Sequence, residues 1–298
     1  MLATLDDFCQ QLYEAPTGPI EFCNVGSGLP VLYFHGTGAG NDAAVLLERE
    51  LIASGCRLVV PNRPGYFRTA LGPRGSVSYC AKLAVELLDH LNLDRVAVVG
   101  TSGGGMPAAA FARLYPDRTA ALVLQCAQAH RWDHGQWLPK GMGRSLFLFR
   151  HPVYRRFLRW YNCFHAWSMA RRPASCLRGM SGSRLPYLEG DATVMQSISK
   201  LAQMAAACAA QPRGIENDWA ILVGDNGIRS GSISCPTLIV HDREDPLVPF
   251  AHAEWSCASI AHSELLDVCA GGHLIWFGPD ASTMNRRRME FLEAHSAA

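Results

Sequence analysis

The segment Gly100-Thr101-Ser102-Gly103-Gly104 holds the clearest chemistry in the chain. A serine hydroxyl attacks a carbonyl carbon only when a base takes its proton and the hydroxyl is held out where a substrate can reach it. The Gly-x-Ser-x-Gly spacing is weak alone, but its flanks make it specific. Val96-Ala97-Val98-Val99 reads as a buried strand and residues 106–115 as a helix, so the strand must reverse into the helix within a few residues. That reversal holds the middle residue in strained backbone geometry, and glycines on both sides remove the Cβ clashes it would create. The serine is thereby lifted above the carboxyl end of a strand, at the positive end of a helix.

Among eleven histidines, His273 in Ala270-Gly271-Gly272-His273 is best placed as the base. It follows the last strand candidate and precedes the final helix, on the side where the Ser102 turn also ends. His90, His262 and His295 lie in or at the ends of helices, and His130, His134, His151 and His165 lie in a long middle segment. An imidazole that cycles between base and acid needs a carboxylate to fix its tautomer. Three acids compete in His241-Asp242-Arg243-Glu244-Asp245-Pro246. Asp245 lies deepest in the loop beside a stiffening proline and is the first choice; Asp242, at the strand exit, is the second.

Attack on a carbonyl makes an oxyanion, which needs two fixed N–H donors. Gly103, directly after the serine, supplies one. His35-Gly36-Thr37-Gly38-Ala39-Gly40 supplies the other, with Thr37 preferred over Gly38. Gly36, Gly38 and Thr101 are expected to touch substrate. A phosphate-binding loop is disfavoured, because neither Gly-x-Gly-x-x-Gly nor a P-loop lysine is present.

These residues must be carried by a sheet. Short runs rich in β-branched and apolar residues recur at 20–25, 31–34, 56–61, 96–100, 121–126, 237–241 and 264–268. Their unbroken hydrophobicity predicts strands buried on both faces, as in a parallel sheet. Helices fit between them at 77–92, 104–115, 250–262 and 281–295; in the first, Cys80, Leu83, Ala84, Leu87, Leu88 and Leu91 form one apolar stripe. Strands alternating with helices imply right-handed βαβ units. About a hundred residues separate the strands near 126 and 237, where a crossover needs on the order of a dozen or a few dozen. The segment is read as a mainly helical insertion over the sheet.

Composition narrows the function classes. The chain has 298 residues, is 49% hydrophobic and carries a net charge of +1. Residues 130–213 hold thirteen of its 27 basic residues against only Asp133, Glu189 and Asp191, so a basic middle sits in an acidic frame. That middle could steer an acidic or phosphate-bearing acyl substrate, or form a solvated face. Phe157, Trp160, Tyr161 and Phe164 fall there at helical spacing, and Trp160 is taken as a substrate-binding candidate. Eleven cysteines at irregular spacing suit free thiols in a reducing compartment better than a disulfide framework. No apolar run of ~18 residues is present, and the first residues carry acids where a signal peptide carries bases. A cytoplasmic protein without an integral membrane segment is expected. No metal-ligand spacing, cofactor motif or nucleic-acid motif is present, so no metal, cofactor or nucleic-acid partner is expected; a homo-oligomer is left open.

Together the segments resemble the α/β-hydrolase superfamily over nearly the whole chain outside the insertion. The pattern runs His35-Gly36, Arg63-Pro64-Gly65-Tyr66, Gly100-Thr101-Ser102-Gly103-Gly104, Tyr115-Pro116-Asp117-Arg118, Asp245-Pro246 and Gly272-His273. Residues 20–126 look especially like small esterase-type members with a Gly-Thr-Ser-Gly-Gly-Gly turn. Asp242 departs from the pattern, which usually has glycine there. The resemblance implies an eight-stranded, mostly parallel sheet flanked by helices, with a core at 1–127 and 233–298 and a helical cap at 128–232 between strands six and seven. It also implies a Ser102, Asp245, His273 triad. The expected activity is hydrolysis of an ester, thioester or lactone of a small to medium acyl substrate through an acyl-enzyme. A carbon–carbon bond hydrolase or proline-type aminopeptidase on the same triad is the alternative, and a slow ligand receptor of the same fold a further one.

Overall fold

Apolar runs of five to eight residues cannot leave either face in water, and here they assemble into one eight-stranded sheet in the order β1-β2-β4-β3-β5-β6-β7-β8. The computed structural model describes residues 10–72, 75–132, 135–137, 160, 164, 167–168, 170–224 and 232–296. The strands are β1 (Gln11–Ala15), β2 (Gly18–Val25), β3 (Leu29–Phe34), β4 (Cys56–Pro61), β5 (Val96–Thr101), β6 (Thr119–Gln125), β7 (Thr237–His241) and β8 (Ser263–Asp267). β2 pairs antiparallel with β1 and β4, and every other pairing is parallel. β1 is the one strand absent from the expected set. It is a sheet edge of mixed polarity, with only Ala15 buried, so it lacks the continuous apolar signal of the others.

Alternation along the central strands sends side chains to two cores. On one face Val31, Tyr33, Val60, Val99 and Val123 meet α1 (Asn41–Leu47), α2 (Arg49–Ala53) and the C-terminal helix. On the other Leu32, Phe34, Val98, Leu122 and Ile239 meet α3 (Val77–His90) and α4 (Gly105–Leu114). The stripe expected on α3 is the buried one, with Cys80, Leu83, Ala84, Leu87 and Leu88 all inside and Leu91 half-buried at the helix end. Ser76 caps that helix by accepting from Tyr79 N–H. Removing one of its fully buried leucines to alanine would cost about 2–5 kcal/mol.

Between β6 and β7 the described residues form α5 (Pro173–Ser181), α6 (Ala192–Ala209) and α7 (Arg213–Val223), and no strand. Asp191 caps α6 by accepting from Thr193 and Val194 N–H. Two apolar clusters seat these helices on loops at the carboxyl ends of the strands. Cys176, Leu177, Leu188, Val194 and Ile198 surround Leu274, and Cys208, Ala209 and Ile215 surround Tyr66. Two further helices, α8 (Ala251–Ser259) and α9 (Ala281–Ser296), complete the layers.

Candidate active site

Ser102 directly follows β5 and begins a single 3-10 turn that runs into α4. Its φ is 51°, left-handed backbone that a non-glycine residue adopts only at an energetic cost. The turn holds because its neighbours can come close. A Cβ on Gly104 would lie 2.1 Å from the carbonyl oxygen of Phe34, so no larger residue fits between the turn and β3. Ser102 C=O is also fixed, accepting Gln128 N–H at 2.9 Å.

Behind the turn lies a buried polar cluster. Thr101 Oγ1 is 2.5 Å from the hydroxyl of Tyr33 and accepts Gln125 Nε2 at 2.8 Å. Glu48 Oε1 collects donors from Tyr33, Gln125, Trp276 and Arg288. β3, β6 and the C-terminal helix are thereby tied, with Glu48 and Trp276, to the residue before the serine.

His273 and Asp245 come together from the loops after β8 and β7. His273 Nδ1 lies 2.7 Å from Asp245 Oδ2, while Asp245 Oδ1 accepts Leu247 and Val248 N–H at 2.8 and 2.9 Å. Burial would raise the Asp245 pKa, but His273 and His241 outweigh it and hold the carboxyl well below the usual range. Asp245 therefore stays an anion beside the imidazole. Asp242 is engaged elsewhere. It accepts Arg184 Nε at 3.0 Å and the N–H groups of Glu244, Ala270 and Gly272, tying the loops after β7 and β8 to the inserted segment. His273 N–H itself donates to Met180 C=O of α5.

The loop after β3 is fixed from outside. Thr37 Oγ1 donates to Asp218 Oδ2 at 2.8 Å, and Gly38 N–H donates to Tyr66 Oη at 3.1 Å. Asp218 is buried on α7 and takes a two-pronged ion pair from Arg63, at 2.6 and 2.5 Å, together with the hydroxyl of Tyr66 at 2.6 Å. Burial alone would lower the Arg63 pKa; Asp218 more than offsets it, so the guanidinium stays charged. His35 is held neutral by burial and by Arg63, and its Nε2 accepts Arg63 N–H at 3.0 Å. Sequence reasoning missed Asp218, since an acid beside Glu216, Asn217 and Arg213 looks like part of a solvated helix face.

Ser102, His273 and the loop after β3 border one cavity of about 580 Å³. Its wall includes Gly36, Thr37, Gly38, Thr101, Ser102 and His273. The remainder is largely apolar, with Leu47, Leu201, Ala205, Ile215, Trp219 and Trp276. Gly103 and Asp245 stand just behind this wall. Trp160 does not line it. It is 62% exposed and stacks on Phe164, which stacks on Trp167, so the tryptophans that line the cavity are Trp219 and Trp276 instead. Helical spacing groups side chains on one face but does not say which way that face turns. Phe157 and Tyr161 lie outside the described residues. The expectation that basic residues draw an anion into the cleft also meets a wall on which no described lysine or arginine stands. Among the described residues no group of three metal-ligating side chains converges, and no described helix is long and apolar enough to cross a membrane.

The model of the alpha/beta hydrolase fold family matches residues 30–279. The chain belongs to the α/β-hydrolase family. It is 29% identical over 281 residues to a Bacillus subtilis protein named uncharacterized hydrolase YcgS, covering 93% of this chain and 96% of that one. A Pseudomonas putida 2-hydroxy-6-oxononadienedioate/2-hydroxy-6-oxononatrienedioate hydrolase is 25% identical over 288 residues, covering 92% and 91%. Among solved structures, an α/β-hydrolase fold protein from Nakamurella multipartita superposes with a TM-score of 0.77 at 29% identity, covering 96% of this chain and 99% of that one. With relatives named as hydrolases matched over 92–93% of its length, this α/β-hydrolase is an enzyme.

Proposed function

We propose that this enzyme hydrolyses an ester, thioester or lactone whose acyl group is uncharged and largely apolar, through an acyl-enzyme on Ser102. The observation that carries the reading is the 2.7 Å contact between His273 Nδ1 and Asp245 Oδ2, with His273 and Ser102 on the wall of one apolar cavity. In this account Ser102 Oγ bonds to the carbonyl carbon and its proton passes to His273 Nε2. Gly103 and Thr37 N–H groups hold the oxyanion. His273 then protonates the departing alcohol or thiol, and a water deprotonated by His273 releases the acid and restores the serine. Asp245 keeps Nδ1 protonated throughout. Residues 128–232 serve as the cap that encloses the acyl group, and the free cysteines suit a reducing cytoplasm.

Carbon–carbon bond hydrolysis is the second reading, favoured by the Pseudomonas putida relative. A dienedioate carries two carboxylates, however, and the described wall offers no lysine or arginine to meet them. An aminopeptidase likewise needs a carboxylate for the substrate amine, and none stands on that wall. The test is a panel of p-nitrophenyl esters from acetate to octanoate beside an ω-carboxylate ester of matched length and a dienedioate. The proposal expects kcat/KM to rise with chain length and to drop at least about tenfold when the tail carries charge. Preference for the charged ester or the dienedioate would overturn it.

A further inference from the structure

Two N–H donors make an oxyanion hole only if they are held at fixed positions relative to the nucleophile. Gly103 is fixed by its place in the β5–α4 turn. Thr37 is not fixed by its own loop, since Gly36 and Gly38 flank it and Gly38 has a φ of +73°. Yet Thr37 is pressed against Gly103: a Cβ on Gly103 would lie 2.1 Å from Thr37 Oγ1 and 3.3 Å from Thr37 N. What holds it there is α7 of the inserted segment. Asp218 Oδ2 accepts Thr37 Oγ1 directly, and reaches the next residue through Tyr66, whose hydroxyl donates to Asp218 and accepts Gly38 N–H. Asp218 is itself clamped by Arg63, whose own N–H is bound to His35 at the start of the same loop.

We propose that Asp218 is a positioning residue that sets the Thr37 N–H against the substrate oxyanion, so that the inserted segment completes the oxyanion hole as well as covering the cavity. This rests on the serine-hydrolase reading above. Removing a single oxyanion donor costs about 10²–10³ in kcat, and a displaced donor costs part of that. The loss falls on kcat, because the contact strengthens only as the oxyanion forms.

The test uses the full-length enzyme with p-nitrophenyl butyrate and, separately, the rate of labelling by a fluorophosphonate. Thr37→Val keeps the shape and the backbone N–H but removes the Oγ donor, and leaves the Asp218–Arg63 pair intact. It should lower kcat and the labelling rate by about 10–100-fold with KM within about twofold. Thr37→Ser, which restores the donor, should recover most of that loss. Asp218→Asn should reproduce the kcat defect, and a low Tm in that variant alone would reflect the unpaired Arg63 without touching the Thr37 comparison. Wild-type kcat in Thr37→Val, or no gain from serine over valine, overturns the inference while Ser102 labelling still stands. A wild-type enzyme whose Ser102 takes no label overturns the hydrolase reading and this inference with it.

Discussion

Asp245 turns one carboxylate oxygen to His273 Nδ1 and the other to the backbone N–H groups of Leu247 and Val248. The imidazole is thus held by an anion that is itself held by its loop. Asp242, three residues earlier, is fully buried but spends its oxygens on Arg184 and three N–H groups. Two neighbouring aspartates therefore have separable tasks. Asp245→Asn should cost on the order of 10⁴ in kcat by stabilising the wrong histidine tautomer, with the fold retained. Asp242→Asn should instead lower stability by about 1–3 kcal/mol and leave most of the turnover. Steady-state kinetics beside thermal melts check both, and a larger kcat loss in Asp242→Asn would reverse the assignment.

Glu48 and Arg288 form a fully buried ion pair, joined through Tyr33 and Gln125 to Thr101. Neutralising one partner leaves an uncompensated charge in the core. Glu48→Gln should destabilise the enzyme by about 3–5 kcal/mol, measured as a shift in the urea midpoint. A loss under about 1 kcal/mol would show that Arg288 finds another partner.

His252 gives the pH dependence of stability a definite sign. It is buried in α8, accepts Ala129 and His130 N–H on Nδ1, and donates from Nε2 to Trp137 C=O. Burial drives its pKa down from 6.5 to about 4. Below pH 6.5 the unfolded chain takes up a proton that the native state refuses until about pH 4. Stability contributed by this site is therefore full above pH 6.5 and falls as the pH drops toward 4, by about 3 kcal/mol in total. Between pH 7 and pH 5, His252→Gln should lose about 2 kcal/mol less stability than the wild type, even though it starts less stable. An equal loss of stability between pH 7 and pH 5 in wild type and His252→Gln, read from denaturant midpoints, would contradict this assignment.

The parts of this molecule that repeat a local pattern were legible in its sequence. The central strands are continuous apolar runs, α3 carries a regular stripe, and Val96–Thr101 followed by glycines and an alanine-rich helix has few other ways to fold. His273 and Asp245 were legible because each follows a strand on the side where the Ser102 turn ends. What stayed hidden depends on contacts between distant residues. β1 has no face to bury beyond Ala15. Glu48 and Arg288 are 240 positions apart, and each looks like an ordinary surface charge in its own stretch of sequence. Asp218 reads as solvated until α7 is laid on the loop carrying Thr37. Trp160 shows the converse, an aromatic that spacing grouped with a lid face and that the fold leaves 62% exposed.

The central claim is that Ser102 is an activated nucleophile, and labelling by a fluorophosphonate followed by intact mass tests it most directly. The probe needs a basic partner for the serine and an oxyanion site, but no knowledge of the natural substrate. The account predicts a single adduct on the wild type, mapped to Ser102 by peptide digestion, and none on Ser102→Ala. A folded wild type that stays unlabelled, or a Ser102→Ala variant labelled as readily as the wild type, would contradict it.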